Sequence, residues 1–155
     1  MGAIDELDAR LIRAMAESPR AGIMELARRL KVARGTVQAR LDKLTQRGIV
    51  TGFGPDLSLA ELGYVVTAFT TLEIAQGRLA DVVEHLADIP EVLEVHAITG
   101  PGDLHLRIVA RSNDDLQDVI NRILEVQGIA RTSTVIALSE QVPFRTLPLL
   151  DPAQS

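Results

Sequence analysis

The 155-residue chain contains no cysteine and no tryptophan, and aromatic residues make up only 3% of it. Without cysteine, disulfide scaffolds, thiol catalysis and cysteine-ligated zinc or iron–sulfur sites are excluded. No apolar run approaches the roughly 18 residues needed to span a bilayer. The opening MGAIDELDAR lacks the basic-then-apolar layout of a signal peptide. Glu6 stands where a myristoylation site needs Ser or Thr. The expectation is a soluble, cytoplasmic protein without membrane partners. Positive charge is also scarce: Lys plus Arg is 16 against 21 for Asp plus Glu, a net charge of -5. Taken whole, that balance disfavours nucleic acid as a partner. Hydrophobic residues make up 46% and charged residues 24%, a globular profile. The length fits one ordinary domain or two small ones.

The charge is unevenly spread. Up to Phe53 there are ten basic and six acidic residues, so this third carries +4 and the remainder -9. From Arg20 to Arg47 only Glu25 and Asp42 oppose eight basic residues. A basic binding unit joined to an acidic unit with another task is the expectation.

Periodicity in the first third predicts three helices. Asp5 precedes the first, with Leu7, Leu11, Ala14 and Met15 on one face and Ser18-Pro19 as its stop. Ile23, Leu26, Ala27 and Leu30 mark the second. A tight turn at Lys31-Val32-Ala33 leads to a third over 34–46, with Val37, Leu41 and Leu44 inward. Gly48 closes it, and Ile49 to Phe53 reads as a short strand. Two short helices and a tight turn are the helix-turn-helix layout. Its third helix must present an outward face to the major groove. Here that face comprises Arg34, Gly35, Thr36, Gln38, Ala39, Arg40 and Lys43. Gln reads adenine and Arg reads guanine, while Arg28, Arg29, Lys31 and Arg47 suit flanking phosphates. The predicted partner is therefore double-stranded DNA.

The acidic part reads as a linker over 54–63, followed by strand, helix, strand, strand, helix and strand. The predicted spans are strand 64–74, helix 78–88, strand 92–99, strand 104–111, a helix from an Asn113 cap to Val126, and strand 131–138. Leu79, Val82, Val83 and Leu86 form the expected apolar stripe of the first helix. This βαββαβ order is ferredoxin-like, so the overall class is α+β. An open, partly apolar sheet face predicts a sheet-to-sheet homodimer or a larger closed assembly. Residues 139–155 form a tail too apolar, up to Leu150, to hang free. The domain scheme is thus 1–53, 54–63, 64–138 and 139–155.

The segments LDARLIRAMAESPRAGIMELARRL, VARGTVQARLDKLTQRGIV and ITGPGDLHLRIVA resemble the Lrp/AsnC, or feast/famine, family of transcriptional regulators. The resemblance spans roughly Asp5 to Leu138. It implies a winged helix-turn-helix, a strand-containing hinge and a βαββαβ effector (RAM) domain related to amino-acid-sensing ACT domains. It implies dimers that assemble further, commonly to octamers, in the prokaryotic cytoplasm at the nucleoid. It also implies that an amino acid or related metabolite binds between effector domains and alters DNA binding or assembly. By position, 34–46 is the recognition helix, and Gly100-Pro101-Gly102-Asp103 matches the family's Gly-x-x-Asp loop. Two departures stand out. Ala33 replaces a customary Ser cap, at a cost of about 1 kcal/mol. Pro101 stiffens the glycine loop.

For the effector, Gly100 and Gly102 would offer backbone N–H groups to a carboxylate. Asp103 would accept from an α-ammonium, or fix the loop. Leu104 follows directly, and Thr132, Ser133 and Thr134 would add hydroxyls from a partner subunit. No cofactor or metal is expected. An enzyme is the main alternative class, but no nucleophile elbow or phosphate loop accompanies the Ser, His and Asp residues. His85 reads as a surface residue, whereas His96 and His105 lie on neighbouring strands. RNA-recognition domains share βαββαβ but need stacking aromatics, and Leu104 to Arg111 has none. A sensor without DNA binding is a further alternative, disfavoured by the basic third helix.

Overall fold

In the computed structural model, which describes residues 4–151, the chain divides into two compact units, 4–55 with 143–151, and 56–142.

The first unit is built on three helices, α1 (Glu6–Glu17), α2 (Ile23–Leu30) and α3 (Arg34–Gln46). Asp5 caps α1 in a full capping box: its carboxylate accepts from the Asp8 N–H, and the Asp8 carboxylate accepts from the Asp5 N–H. α2 ends at Lys31, which takes the left-handed conformation at φ 58° without being glycine. α3 starts at Ala33 with no side-chain acceptor for its first N–H groups, as the missing Ser predicts. Leu11, Leu26, Leu30, Val37 and Leu44 close the core, with Leu41 half-buried beside them. Gly48 (φ 70°) ends α3, and the Ile49 N–H returns to the Leu44 carbonyl at 2.9 Å.

The predicted strand at Ile49 to Phe53 does not form. A strand needs a partner, and among its described residues this unit contains no other; Gly52 and Gly54 also weaken the run. Ile49 and Val50 instead pack on the three-helix core. No wing is therefore built within the chain's described residues. The tail does not hang free. Leu147–Leu150 form one 3-10 turn, Asp151 pairs with Arg13, and Leu149 and Leu150 share a groove with Ile4, Ala9 and Ile49.

The second unit opens with a helical turn in which the Tyr64 N–H bonds the Leu59 carbonyl at 2.8 Å. Four strands follow, β1 (Val66–Ile74), β2 (Val92–Ala97), β3 (Leu104–Ala110) and β4 (Ile129–Ile136), in the order β2-β3-β1-β4 with every pair antiparallel. Helices α4 (Leu79–Ala87) and α5 (Asn113–Ile123) supply Val82, Leu86, Val119 and Ile123 to one core with Ala68, Leu72, Leu106 and Ile108. The βαββαβ order thus folds as the ferredoxin-like arrangement.

Ser112, not Asn113, caps α5, accepting from the Asp115 N–H at 3.1 Å. That helix stops at Ile123, and β4 starts two residues before Arg131. Leu79 and Val83, expected in the α4 stripe, are exposed, so its buried stripe narrows to Val82 and Leu86. His85 is no free surface residue: its Nε2 meets the Arg122 carbonyl at 2.7 Å and ties α4 to α5.

The open sheet face is partly apolar, as expected, through Phe69, Val109 and Val135. Pairing places Thr67, Phe69, Thr71 and Glu73 of β1 beside His105 and Arg107 of β3, Glu94 and His96 of β2, and Arg131, Ser133 and Val135 of β4. Phe69 stacks on His105 with ring centroids 5.8 Å apart. His96 and His105 are cross-strand partners, as their neighbouring strands suggest; His105 Nδ1 is 3.1 Å from the Thr71 hydroxyl.

Candidate DNA-binding face and effector loop

On α3, Arg34, Gly35, Thr36, Gln38, Ala39 and Lys43 are exposed, as are Arg28, Lys31 and Arg47 around it. This is the face expected from burying Val37 and Leu44. Gln38 donates to the Asp42 carboxylate at 2.8 Å, which holds its amide along the helix. Nothing lies within 4 Å of a Cβ added at Gly35, so no internal contact requires glycine there.

Two of the expected contacts are otherwise engaged. Arg29 donates to the Ser18 hydroxyl at 2.6 Å and to Glu17 at 2.9 Å, closing the C-terminal end of α1. Arg40 does not join the outward face. Its guanidinium turns to α1 and donates to Asp5 and, at 3.0 Å, to Asp8. The Arg40 hydrogen bond holds the Asp5 carboxyl below the usual carboxylate range, helped by the Asp8 backbone N–H, and the two aspartates push Arg40 up. This acidic pair is the feature that sequence reasoning missed. Its signal in the sequence is the Asp5-x-x-Asp8 spacing at the start of α1, which does not show which distant cation it receives. Two more arginines work internally: Arg10 donates to the Leu30 carbonyl at 3.2 Å, and Arg13 holds Asp151. Arg20, Arg28, Lys31, Arg34, Lys43 and Arg47 form no salt bridge among the described residues, and all but Arg20 flank or lie on α3.

In the second unit the glycine loop joins β2 to β3. Gly100 and Gly102 have φ near 99° and 104°, values that L side chains rarely adopt. A Cβ at Gly102 would also stand 2.4 Å from Thr71 Cγ2, so the close approach to β1 requires glycine. Asp103 anchors the loop three ways. Its N–H donates to the Leu72 carbonyl at 2.8 Å, its carbonyl accepts from Ile98 at 3.0 Å, and its Oδ2 accepts from the Ile74 N–H at 2.6 Å. One carboxylate oxygen is thus spent on fixing the loop to the end of β1.

Within the chain, the other expected effector residues are divided between the two faces of the sheet. Leu104 is a core side chain, 2% exposed, and offers a ligand only its backbone. Thr132, Ser133 and Thr134 alternate across β4. Thr134 spends its hydroxyl on the buried Thr70 at 2.9 Å. Ser133 lies on the open face opposite Thr71, and Thr132 on the other face opposite Leu72.

A DNA-reading helix-turn-helix followed by an antiparallel βαββαβ domain defines a class: transcriptional regulators with a separate ligand-binding domain. Comparison with known proteins narrows it. Residues 4–45 match the AsnC-type helix-turn-helix domain, and residues 67–147 match the Lrp/AsnC ligand binding domain. The regulatory protein AsnC of Escherichia coli is 33% identical, covering 93% of this chain and 95% of its own. The transcriptional regulator FL11 of Pyrococcus horikoshii is 27% identical over 94% of this chain and 97% of its own. Among solved structures, E. coli AsnC superposes with a TM-score of 0.87 at 31% identity, covering 95% of this chain and 100% of that one. A feast or famine regulatory protein from M. tuberculosis, complexed with L-methionine, gives 0.81 at 28% identity, covering 93% and 98%. The chain belongs to the Lrp/AsnC family of DNA-binding transcriptional regulators.

Proposed function

We propose that the chain regulates transcription by binding operator DNA as a homodimer or larger closed assembly, and that an amino acid or related metabolite modulates this binding. The observation that carries the reading is the exposed α3 face, with Arg34, Thr36, Gln38 and Lys43 unburied and Arg28, Lys31 and Arg47 around it. Side chains at the start of α3 read base edges; the flanking cations hold phosphates. In a dimer, two such helices meet half-sites about one helical turn apart.

The effector reading centres on the loop at Gly100, Pro101, Gly102 and Asp103, with the backbone at Leu104. Nothing lies within 4 Å of a Cβ added at Gly100, which leaves room for a ligand beside that backbone, and Asp103 retains one carboxylate oxygen, Oδ1, for an ammonium. The methionine complex of the M. tuberculosis relative supports an amino acid as the ligand class. Ser133 and Thr132 come next as contacts; Thr134, with its hydroxyl engaged, is the weakest. The role is regulatory rather than enzymatic, and the location is the cytoplasm, at the nucleoid. No helix among the described residues is long and apolar enough to cross a membrane.

The test is a titration of the full-length protein against duplexes it selects from a random pool, across salt and across the twenty amino acids. Affinity falling steeply with salt is expected, because bound phosphates release counterions. One or more amino acids should shift either that affinity or the oligomer size. Binding to no duplex, or indifference to all twenty, overturns the corresponding half of the proposal.

A further inference from the structure

Arg40 occupies the middle of the recognition helix, yet its side chain is only 31% exposed and faces α1. The Asp5–Asp8 pair that receives it has a complete set of partners. Asp5 gives one oxygen to the Asp8 N–H and the other to Arg40, while Asp8 gives one to the Asp5 N–H and the other to Arg40. All four carboxylate oxygens are satisfied, and among the described residues the guanidinium is the only cation paired with them. The Asp8 side chain is just 10% exposed. Removing Arg40 would leave two carboxylates facing each other, one of them buried, without a counter-charge. Arg40 also lines the seam between α1 and α3 with Leu7, Leu11, Leu30 and Val37. It thus joins the start of α1 to the middle of α3 by both charge and packing.

We propose that Arg40 is a positioning residue for DNA recognition: it locks α3 onto the capping box of α1 and fixes the pose of the reading face, without itself touching DNA. The proposal rests on the reading of α3 as the DNA-binding helix. Base-edge hydrogen bonds tolerate little displacement, so a helix free to rock on α1 loses several of them together. Asp5 and Asp8 then belong to the recognition apparatus, although they carry the wrong sign to meet phosphate.

The sign of charge separates positioning from contact. The probe is a duplex recovered from a random pool by the full-length wild-type protein, with affinity measured from about 50 to 200 mM salt. Arg40→Gln is expected to weaken binding about tenfold with the salt slope unchanged. Arg34→Ala, removing a phosphate or base contact, should make that slope shallower by about one. Asp8→Asn should also weaken binding although it removes negative charge, and the double variant should be no weaker than the worse single one. A slope shallower by about one in Arg40→Gln, with Asp8→Asn binding as tightly as wild type or more tightly, overturns the proposal. Should Arg40→Gln fail to fold, Asp8→Asn decides alone, by the same two outcomes. If the wild type retains no duplex at any salt, the DNA-binding reading falls and takes the positioning role with it. A thermal double-mutant cycle then still tests the lock: coupling between the two substitutions keeps it, additivity removes it.

Discussion

Lys31 holds a left-handed backbone at the turn between α2 and α3, where a side chain is strained by roughly 1–2 kcal/mol relative to glycine. The same side chain is exposed beside the reading helix. Lys31→Gly should therefore separate two effects. Thermal unfolding should show a gain of about 1 kcal/mol, reduced by glycine's extra unfolded-state entropy. Affinity for a selected duplex should fall, with a salt slope shallower by about one. Arg122 and Glu91 provide the titrating contact of the second unit, at 2.9 Å, with the Glu91 side chain 15% exposed. The Arg122 hydrogen bond pulls the Glu91 carboxyl below its ordinary value. A depressed folded pKa means that the contribution is complete above the unfolded value and is lost as pH falls through the folded one. Glu91→Gln should cost about 1 kcal/mol at neutral pH, and the difference from wild type should vanish on acidification through the carboxylate range. Equal losses at all pH values would place the cause in packing instead.

Helix ends show what local sequence controls and where it stops. The bounds of α2 and α3 follow from periodicity, because their stripes and stop signals are all local. Ala33 caps α3 poorly, and Thr36 does not supply the missing side-chain bond. Ala33→Ser should stabilise the protein by about 0.5–1 kcal/mol in chemical unfolding, with no change in which α3 face is exposed. The segment from Ile49 to Phe53 shows the limit. Its β-branched composition favours a strand, but a ladder partner is a tertiary matter, and this unit has none among its described residues. The effector residues show another limit. A period of two places Thr132 and Thr134 on one face and Ser133 on the other, so their divergence was legible in the sequence. The engagement of Thr134 with Thr70 was not, because it depends on the β1–β4 register. Arg29 and Arg40 fail as free cations for the same reason: their acidic partners are 12 and 35 residues away in sequence.

The net charge of -5 acquires a different meaning once the chain is divided. The basic third folds as a helix-turn-helix whose cations without an ion pair among the described residues, Arg20 apart, gather near α3, so the acidic whole conceals a basic face. From Pro143 on, the tail, read from the sequence as too apolar to hang free, belongs to that same basic unit. Arg13 and Asp151 pair there, and Leu149 and Leu150 border a groove on α1. Ending the chain after Val142 should therefore lower the unfolding temperature of the helix-turn-helix by a few degrees, as an exposed pair and partial apolar burial warrant. The unfolding of the sheet unit should be unaffected. Separate transitions in calorimetry would read both.

The tail has one more consequence. β1 and β4 are antiparallel neighbours with Ala68 opposite Ile136, so the chain enters β1 and leaves β4 at the same end of the sheet. The entering strand comes from the helix-turn-helix through the linker, and the leaving strand returns to it through the tail. Two stretches of chain, the linker and the tail, thus connect the two units. A single cut in the linker would therefore leave α1 to α3 still attached, through the tail residues that pack on them and the Arg13–Asp151 pair.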